Sequence, residues 1–295
     1  TVYFPSGCGA TMGIADDFKI FLKNIRVDNS SNISLRYGEI TAALNNKFRN
    51  SNSKTSNSLQ VGSYGRYTAI KGISDLDMIY TLPDAKWDNY KESQQYKLLC
   101  DTKDAIEARY PSTTVKVDRL VVQVIYRNFH IEVMPAFEEQ DGSYKYPDTA
   151  DGGSWKITKP RDELDEMKAA NERKNRNLRR LCKMARAWKN KHGVAMGGLL
   201  IDTLAYKFLE STGEYNKKSY LYYGYMCRDF FKFLAEQPKN SEYAALGSRQ
   251  RVRVKKRFEE KARDAYELCQ KAIDASGQAN EHQKWRDVFG NDYPV

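Results

Sequence analysis

The pair of carboxylates in Ser74-Asp75-Leu76-Asp77-Met78-Ile79-Tyr80 constrains this chain more than any other stretch. Polar and apolar residues alternate as in a β-strand, whose successive side chains point to opposite faces. Asp75 and Asp77 therefore share one face, and Leu76 and Met78 share the other. Two carboxylates on one exposed face repel each other unless a cation lies between them. Oxygen-only ligands of this kind suit Mg²⁺ held together with substrate phosphates. Just upstream stands Gln60-Val61-Gly62-Ser63-Tyr64-Gly65-Arg66. Its Gly-Ser turn can offer backbone N–H groups and a hydroxyl to those phosphates. The two stretches read as a site for a nucleotide and magnesium, with the rest of the chain as its support.

At 295 residues the chain has room for one large domain or two modest ones, and its composition is that of a globular protein. A net charge of +10 suits a polyanionic substrate or partner without separating nucleotide from nucleic acid. The cysteines (Cys8, Cys100, Cys182, Cys227, Cys269) are scattered and form no C-x-x-C pair. That argues against a zinc site or a disulfide framework and for a reducing cytoplasm. The best candidate for a membrane span, Gly193 to Leu209, is interrupted by Asp202 and Lys207, so none is expected. No signal peptide is recognisable. Thr1 to Thr11 reads as a remnant ahead of a natural start at Met12.

Along the chain, Ile14, Phe18, Phe21, Leu22 and Ile25 form a helical stripe, with Asp16 and Asp17 in the favoured first turn. A second helix is expected from about Ser34 to Arg49, then a polar loop from Asn50 to Ser58. Leu59 to Val61 starts the strand that delivers the Gly-Ser turn, and Pro83 closes the carboxylate strand. Tyr90 to Tyr110 returns to helical spacing. Three short apolar runs follow, Thr114 to Val117, Leu120 to Tyr126 and Phe129 to Met134, the last two joined by a hairpin turn at Arg127-Asn128. In the third run Glu132 shares a face with His130 and Met134, and it comes beside Asp75 and Asp77 if the strands are neighbours. Asp141 to Lys159, rich in Gly, Pro, Asp and Ser, reads as a long connection or lid. From about Arg161 the pattern is helical nearly to the end. One compact two-lobed protein with a cleft between its lobes fits this order.

Lys168 to Lys191 carries ten Lys or Arg and one acid, Glu172. Leu178, Leu181, Cys182, Ala185 and Trp188 form its apolar stripe. Lys183 and Arg186, three apart, lie beside that stripe and are placed to reach into a cleft and hold a triphosphate. Arg179, Arg180 and Lys189 read as solvent-facing. A second basic run, Arg249 to Arg257, reads either as a surface for RNA or DNA phosphates or as an exposed helix start neutralised by Glu259 and Glu260. His130, His192 and His282 are isolated and read as structural. Tyr220, Tyr222, Tyr223 and Tyr225 read as helical-lobe core, with base stacking as the alternative.

Gly-Ser, Asp-x-Asp twelve residues after the Ser, and a carboxylate on a later strand before Pro135 together resemble the polymerase-β-like nucleotidyltransferase superfamily. Within it, Gln60-Val61-Gly62-Ser63, Ser74-Asp75-Leu76-Asp77, Ile131-Glu132-Val133-Met134-Pro135-Ala136-Phe137 and Leu181-Cys182-Lys183-Met184-Ala185-Arg186-Ala187-Trp188 resemble the group of oligoadenylate synthetase and cyclic GMP-AMP synthase, and the closing Trp285 to Pro294 resembles the end of its bacterial members. The bacterial members, the CD-NTases of CBASS anti-phage defence, are the most similar in length. The resemblance implies an α+β fold, with a mixed-sheet nucleotidyltransferase lobe over residues 12–160 and a helical lobe over residues 161–295. The N-terminal helix is expected to pack on the helical lobe.

By the same resemblance, Asp75 and Asp77 would hold two Mg²⁺ ions (Mn²⁺ able to substitute), and Glu132 would complete the catalytic and metal site. Gly62, Ser63, Lys183 and Arg186 would bind the nucleotide. The reaction implied joins ATP or other NTPs into a cyclic di- or trinucleotide second messenger and releases pyrophosphate. A downstream effector would read the product, and activity would be either constitutive or dependent on an activator such as a HORMA-like protein or a nucleic acid. The usual third carboxylate is Asp, and Glu132 is longer. Two other readings are a linear oligonucleotide synthase or RNA- or protein-modifying transferase, and a non-enzymatic nucleic-acid-binding protein that keeps the fold.

Overall fold

The computed structural model describes residues 13–295, so the reading of Thr1 to Thr11 lies outside it. Helices α1 (Ile14–Asn24) and α2 (Ser30–Arg49) lead to β1 (Ser58–Gln60), a one-turn helix α3 (Gly62–Gly65) and β2 (Asp75–Thr81). Next come α4 (Gln95–Arg109), β3 (Thr114–Val117), β4 (Val122–Ile125), β5 (His130–Glu138), β6 (Tyr144–Asp148) and β7 (Ser154–Thr158). The remainder is α5 (Pro160–Arg173), α6 (Asn177–His192), α7 (Gly198–Ser211), α8 (Tyr223–Ala235), β8 (Glu242–Ala244), β9 (Arg251–Arg253), α9 (Glu259–Asp274) and α10 (Glu281–Phe289).

Seven strands form one mixed sheet, ordered β1-β2-β5-β4-β3, with β6 on the far end of β5 and β7 beside β6. Among the described residues only β2 and β5 run parallel; the other pairs are antiparallel. The apolar face of β2, β4 and β5 (Leu76, Met78, Val122, Val124, Ile131, Val133) packs on Ile40, Leu44, Leu98 and Ile106 of α2 and α4. Burying each such side chain contributes about 1.5–3 kcal/mol, and that anchoring leaves the opposite face of β2 and β5 free for polar groups. Pro135 is tolerated inside β5 because β4 pairs only to Val133 and β6 only from Phe137, so no neighbour awaits its missing N–H.

A second core holds the helical lobe together and includes α1. Phe18 meets Trp285 edge-on at 5.2 Å and Tyr293 at 5.4 Å, so the C-terminal residues clasp the first helix.

Four expectations are corrected. Asp141 to Lys159 is mostly the β6–β7 hairpin, with Tyr144 and Asp148 buried; its Gly and Asp residues are turns flanking short strands. The basic stretch from Lys168 is two helices, broken where Asn175 and Arg176 adopt left-handed backbone. The Arg249–Arg257 run is not a helix start: it contains β9, and α9 begins only at Glu259. The helix expected from Tyr90 starts at Gln95.

Candidate active site

The parallel pairing of β2 with β5 sets the acidic face. Asp75 lies opposite His130 and Asp77 opposite Glu132, so all four side chains project from the same side of neighbouring strands. Glu132 therefore comes beside Asp77. On its other flank, Gln123 of β4 donates from Nε2 to Glu132 Oε1 at 3.2 Å. His130 Nε2 lies 3.3 Å from Asp75 Oδ1 and 3.5 Å from Glu132 Oε1. This histidine belongs to the acidic cluster, not merely to the scaffold as its isolation in sequence suggested.

Asp77 is the most constrained member. Its carbonyl accepts from Val61 N at 3.1 Å and from the Tyr37 hydroxyl of α2 at 2.8 Å. Tyr37 is buried and stacks on Tyr64 of α3, which ties the strand to the Gly-Ser turn. Gly62 has φ +63, and a Cβ placed there would lie 1.8 Å from Asp77 Oδ2. Only glycine lets the turn close onto the carboxylate. Burial pushes the Asp77 pKa up to about 6, reinforced by the charges of Glu132 and Asp75 and opposed by Arg66. The Ser63 carbonyl accepts from Thr68 N (2.9 Å) and Ala69 N (3.1 Å), which holds the turn in shape.

The cleft between the lobes has a volume of about 1030 Å³ and is lined by Gly62, Ser63, Asp75, Asp77 and Glu132 on one wall and Arg186, Lys189 and Arg251 on the other. Lys183 and Arg186 part company here. Lys183 is half-buried off the cleft lining; burial and then Arg26 and Arg179 push its pKa down. Arg186 is buried, donating from Nη1 to Asp202 Oδ1 at 2.5 Å and from Nη2 to Gly198 O at 3.0 Å. Its guanidinium borders the cleft while committed to a carboxylate behind it. Lys189, expected to face solvent, lines the cleft. Arg179 is half-buried, its Nε donating to Arg66 O at 3.0 Å, and Arg180 donates to the Tyr223 hydroxyl at 2.7 Å. Tyr223 is core as expected, whereas Tyr222 and Tyr225 are exposed.

Sequence reading missed the ion network behind the cleft. Arg66, following α3, donates from Nε to Asp202 Oδ2 at 2.9 Å and from Nη1 to Glu163 Oε2 at 3.2 Å. Thr68 Oγ1 also donates to Asp202 Oδ2 at 2.9 Å, and Ser248 Oγ to Glu163 Oε1 at 3.0 Å. Two buried arginines and two buried carboxylates thus join the Gly-Ser turn of one lobe to α5, α6 and α7 of the other.

Hard oxygen donors, like charges crowded on one face, and a carboxylate whose proton affinity is raised by burial and by its neighbours together fit a divalent cation. Among the described residues no three His, Cys, Asp or Glu side chains already converge as a metal cluster; His130 lies between Asp75 and Glu132 instead.

The Second Messenger Oligonucleotide or Dinucleotide Synthetase domain matches residues 12–171, more than half of the chain. The chain belongs to this family. It is a nucleotidyltransferase-type synthetase, and solved bacterial CD-NTases share its polymerase-β-like fold. Escherichia coli MS115-1 CdnC, in a complex with HORMA-deltaN, gives a TM-score of 0.70 at 15% identity, covering 95% of this chain and 98% of its own. The Vibrio cholerae di-nucleotide cyclase DncV gives 0.67 at 14% identity, over 81% of this chain and 70% of its own. Elizabethkingia meningoseptica CdnE, a cyclic dinucleotide synthase solved with GTP and Apcpp, gives 0.55 at 17% identity, over 88% and 98%. No curated protein matches the synthetase by sequence. No helix among its described residues is long and apolar enough to cross a membrane.

Proposed function

We propose that this synthetase joins ATP, alone or with other NTPs, into a cyclic di- or trinucleotide second messenger, releasing pyrophosphate, in cytoplasmic anti-phage defence. The observation that carries the reading is the register that sets Asp77 beside Glu132, with Gly62 closed onto the Asp77 carboxylate. Asp75, Asp77 and Glu132 would hold Mg²⁺, with Mn²⁺ as a substitute. A divalent ion bound there supplies charge that favours ionisation of the acceptor hydroxyl and departure of pyrophosphate.

The chain's own groups do the remaining work. Gly62 and Ser63 present the backbone and hydroxyl of α3 to the donor phosphates. Lys189 lines the cleft with no carboxylate within ion-pair distance among the described residues, so it supplies positive charge to the triphosphate. Arg186 holds that wall in place through Asp202 and keeps its remaining N–H groups for the ligand. His130 and Gln123 orient Asp75 and Glu132. The cleft volume accommodates donor and acceptor nucleotides together. The CdnC–HORMA complex supports a HORMA-like protein as the activator to test, with a nucleic acid as the other candidate.

Pyrophosphate release from pooled NTPs with Mg²⁺ or Mn²⁺ tests the assignment. The wild type should turn over, and Asp75→Ala with Asp77→Ala should reduce release to background while leaving the circular dichroism spectrum unchanged. Undiminished release in that folded variant would refute the site.

A further inference from the structure

The cleft chemistry leaves one charged feature unused. Strand β9 forms a two-stranded antiparallel hairpin with β8, Ala244 opposite Arg251 and Glu242 opposite Arg253. Val252 and Val254 turn inward against the helical-lobe core, so Arg251, Arg253 and Lys255 are thrown outward at every second position. The Arg251 side chain is 83% exposed and makes only a surface contact with Glu242 at 3.4 Å, of the kind worth little in water. No carboxylate lies within ion-pair distance of Arg253 or Lys255 among the described residues; the pairs of this run involve Arg251 and Arg257.

The row has a fixed starting point. Gln250 and Arg251 line the cleft, whereas Arg253 and Lys255 lie beyond its lining. Gln250 is pinned to the first lobe: its Oε1 accepts from Lys159 N at 3.0 Å and Thr158 Oγ1 at 3.3 Å, and its Nε2 donates to Ile157 O at 3.0 Å. Arg251 and Arg253 therefore leave the cleft mouth along β9 at a step of about 6.8 Å, and exposed Lys255 follows two residues past the end of the strand. That step is close to the phosphate spacing of an extended single strand.

We propose that Arg251, Arg253 and Lys255 form a track for the phosphodiester backbone of a single-stranded oligonucleotide leading to or from the cleft. The strand could have two sources of the same chemistry, a short linear product of the enzyme or a longer cellular RNA or DNA. Only the first source rests on the proposed reaction.

Fluorescence anisotropy on the full chain tests the track over a range of salt. The probes are a labelled single strand of about a dozen nucleotides and a 5′-triphosphorylated linear trinucleotide. Each single-strand phosphate contact contributes about 0.7 to the slope of log affinity against log salt. Arg251→Ala, Arg253→Ala and Lys255→Ala combined should therefore flatten the slope by about 2. A control lacking three exposed cations elsewhere, Lys19→Ala, Lys91→Ala and Lys217→Ala, should keep the wild-type slope. Flattening with the trinucleotide as well assigns the track to the enzyme's own product; flattening with the long strand alone assigns it to cellular nucleic acid. Equal slopes in the two triple variants, or tighter duplex binding with the same sensitivity, would overturn the proposal. Pyrophosphate release from pooled NTPs by the wild type reports the reaction and the salt slope with the long strand reports the track, so failure of the track and failure of the reaction are distinguishable.

Discussion

Replacing Asp202 by alanine should break the joint between the two lobes. Asp202 is fully buried on α7 and accepts from Arg66 Nε at 2.9 Å, Thr68 Oγ1 at 2.9 Å and Arg186 Nη1 at 2.5 Å. Burial alone would raise its pKa, but Arg186 and Arg66 outweigh that and hold it at about 2. Without the carboxylate, Arg66 keeps only Glu163 at 3.2 Å, and Arg186 keeps only the carbonyls of Cys182 and Gly198. Stranding buried cations in this way costs about 3–5 kcal/mol. Urea unfolding followed by circular dichroism reads the loss, and with a slope of about 3 kcal/mol/M the midpoint should fall by roughly 1–1.7 M. Arg186→Met added to Asp202→Ala should recover part of it, because a methionine leaves no charge unpaired. The folded pKa lies below the unfolded value of 3.8, so the stability Asp202 contributes is present above pH 4 and lost as pH falls towards 2. A change of under about 0.5 kcal/mol in Asp202→Ala would refute the reasoning, since that is the range of an uninvolved surface site.

Three further outcomes follow from the same geometry. The Asp77 pKa of about 6 lies above its unfolded 3.8, so the native state loses stability as pH rises through 6. Asp77→Asn should therefore be inactive yet more stable above pH 7, by up to about 3 kcal/mol before solvent screening, with the gain vanishing below pH 4 in thermal melts. Gly62→Ala should cost about 1–2 kcal/mol for its left-handed backbone and lose turnover at least tenfold, because its methyl group displaces the Asp77 carboxylate; wild-type kinetics would contradict the packing. Lys189→Ala should raise the NTP KM roughly tenfold with kcat little changed, the signature of lost uniform binding; an unchanged KM would remove Lys189 from the triphosphate wall.

What was legible in sequence was local. Asp75 and Asp77 share a face because a strand has a period of two, and the positive φ of Gly62 answers the need for a turn beside them. The approach of Glu132 was conditional on strand order, which β2–β5 pairing supplies. Long-range partners carried no such signal: Arg66 and Asp202 are 136 residues apart, and nothing near either announces the other. Charge in a basic helix also hides direction. Lys189 and Arg186 reach the same cleft, while Arg179 and Arg180 are used up on a carbonyl and a tyrosine hydroxyl. The helix break at Asn175 and Arg176 lacks Gly or Pro, and asparagine's tolerance of left-handed backbone was its only clue. The β6–β7 hairpin read as a loop because turn residues outnumber its short apolar positions.

Mass spectrometry of the product from pooled NTPs and Mg²⁺, supplied with a HORMA-like activator if turnover requires one, tests the central claim most directly. Wild type should give a phosphatase-resistant cyclic di- or trinucleotide, and Asp75→Ala with Asp77→Ala should give none. A product carrying a free 5′-triphosphate in place of a ring, or a cyclic product that persists in the variant, would contradict it.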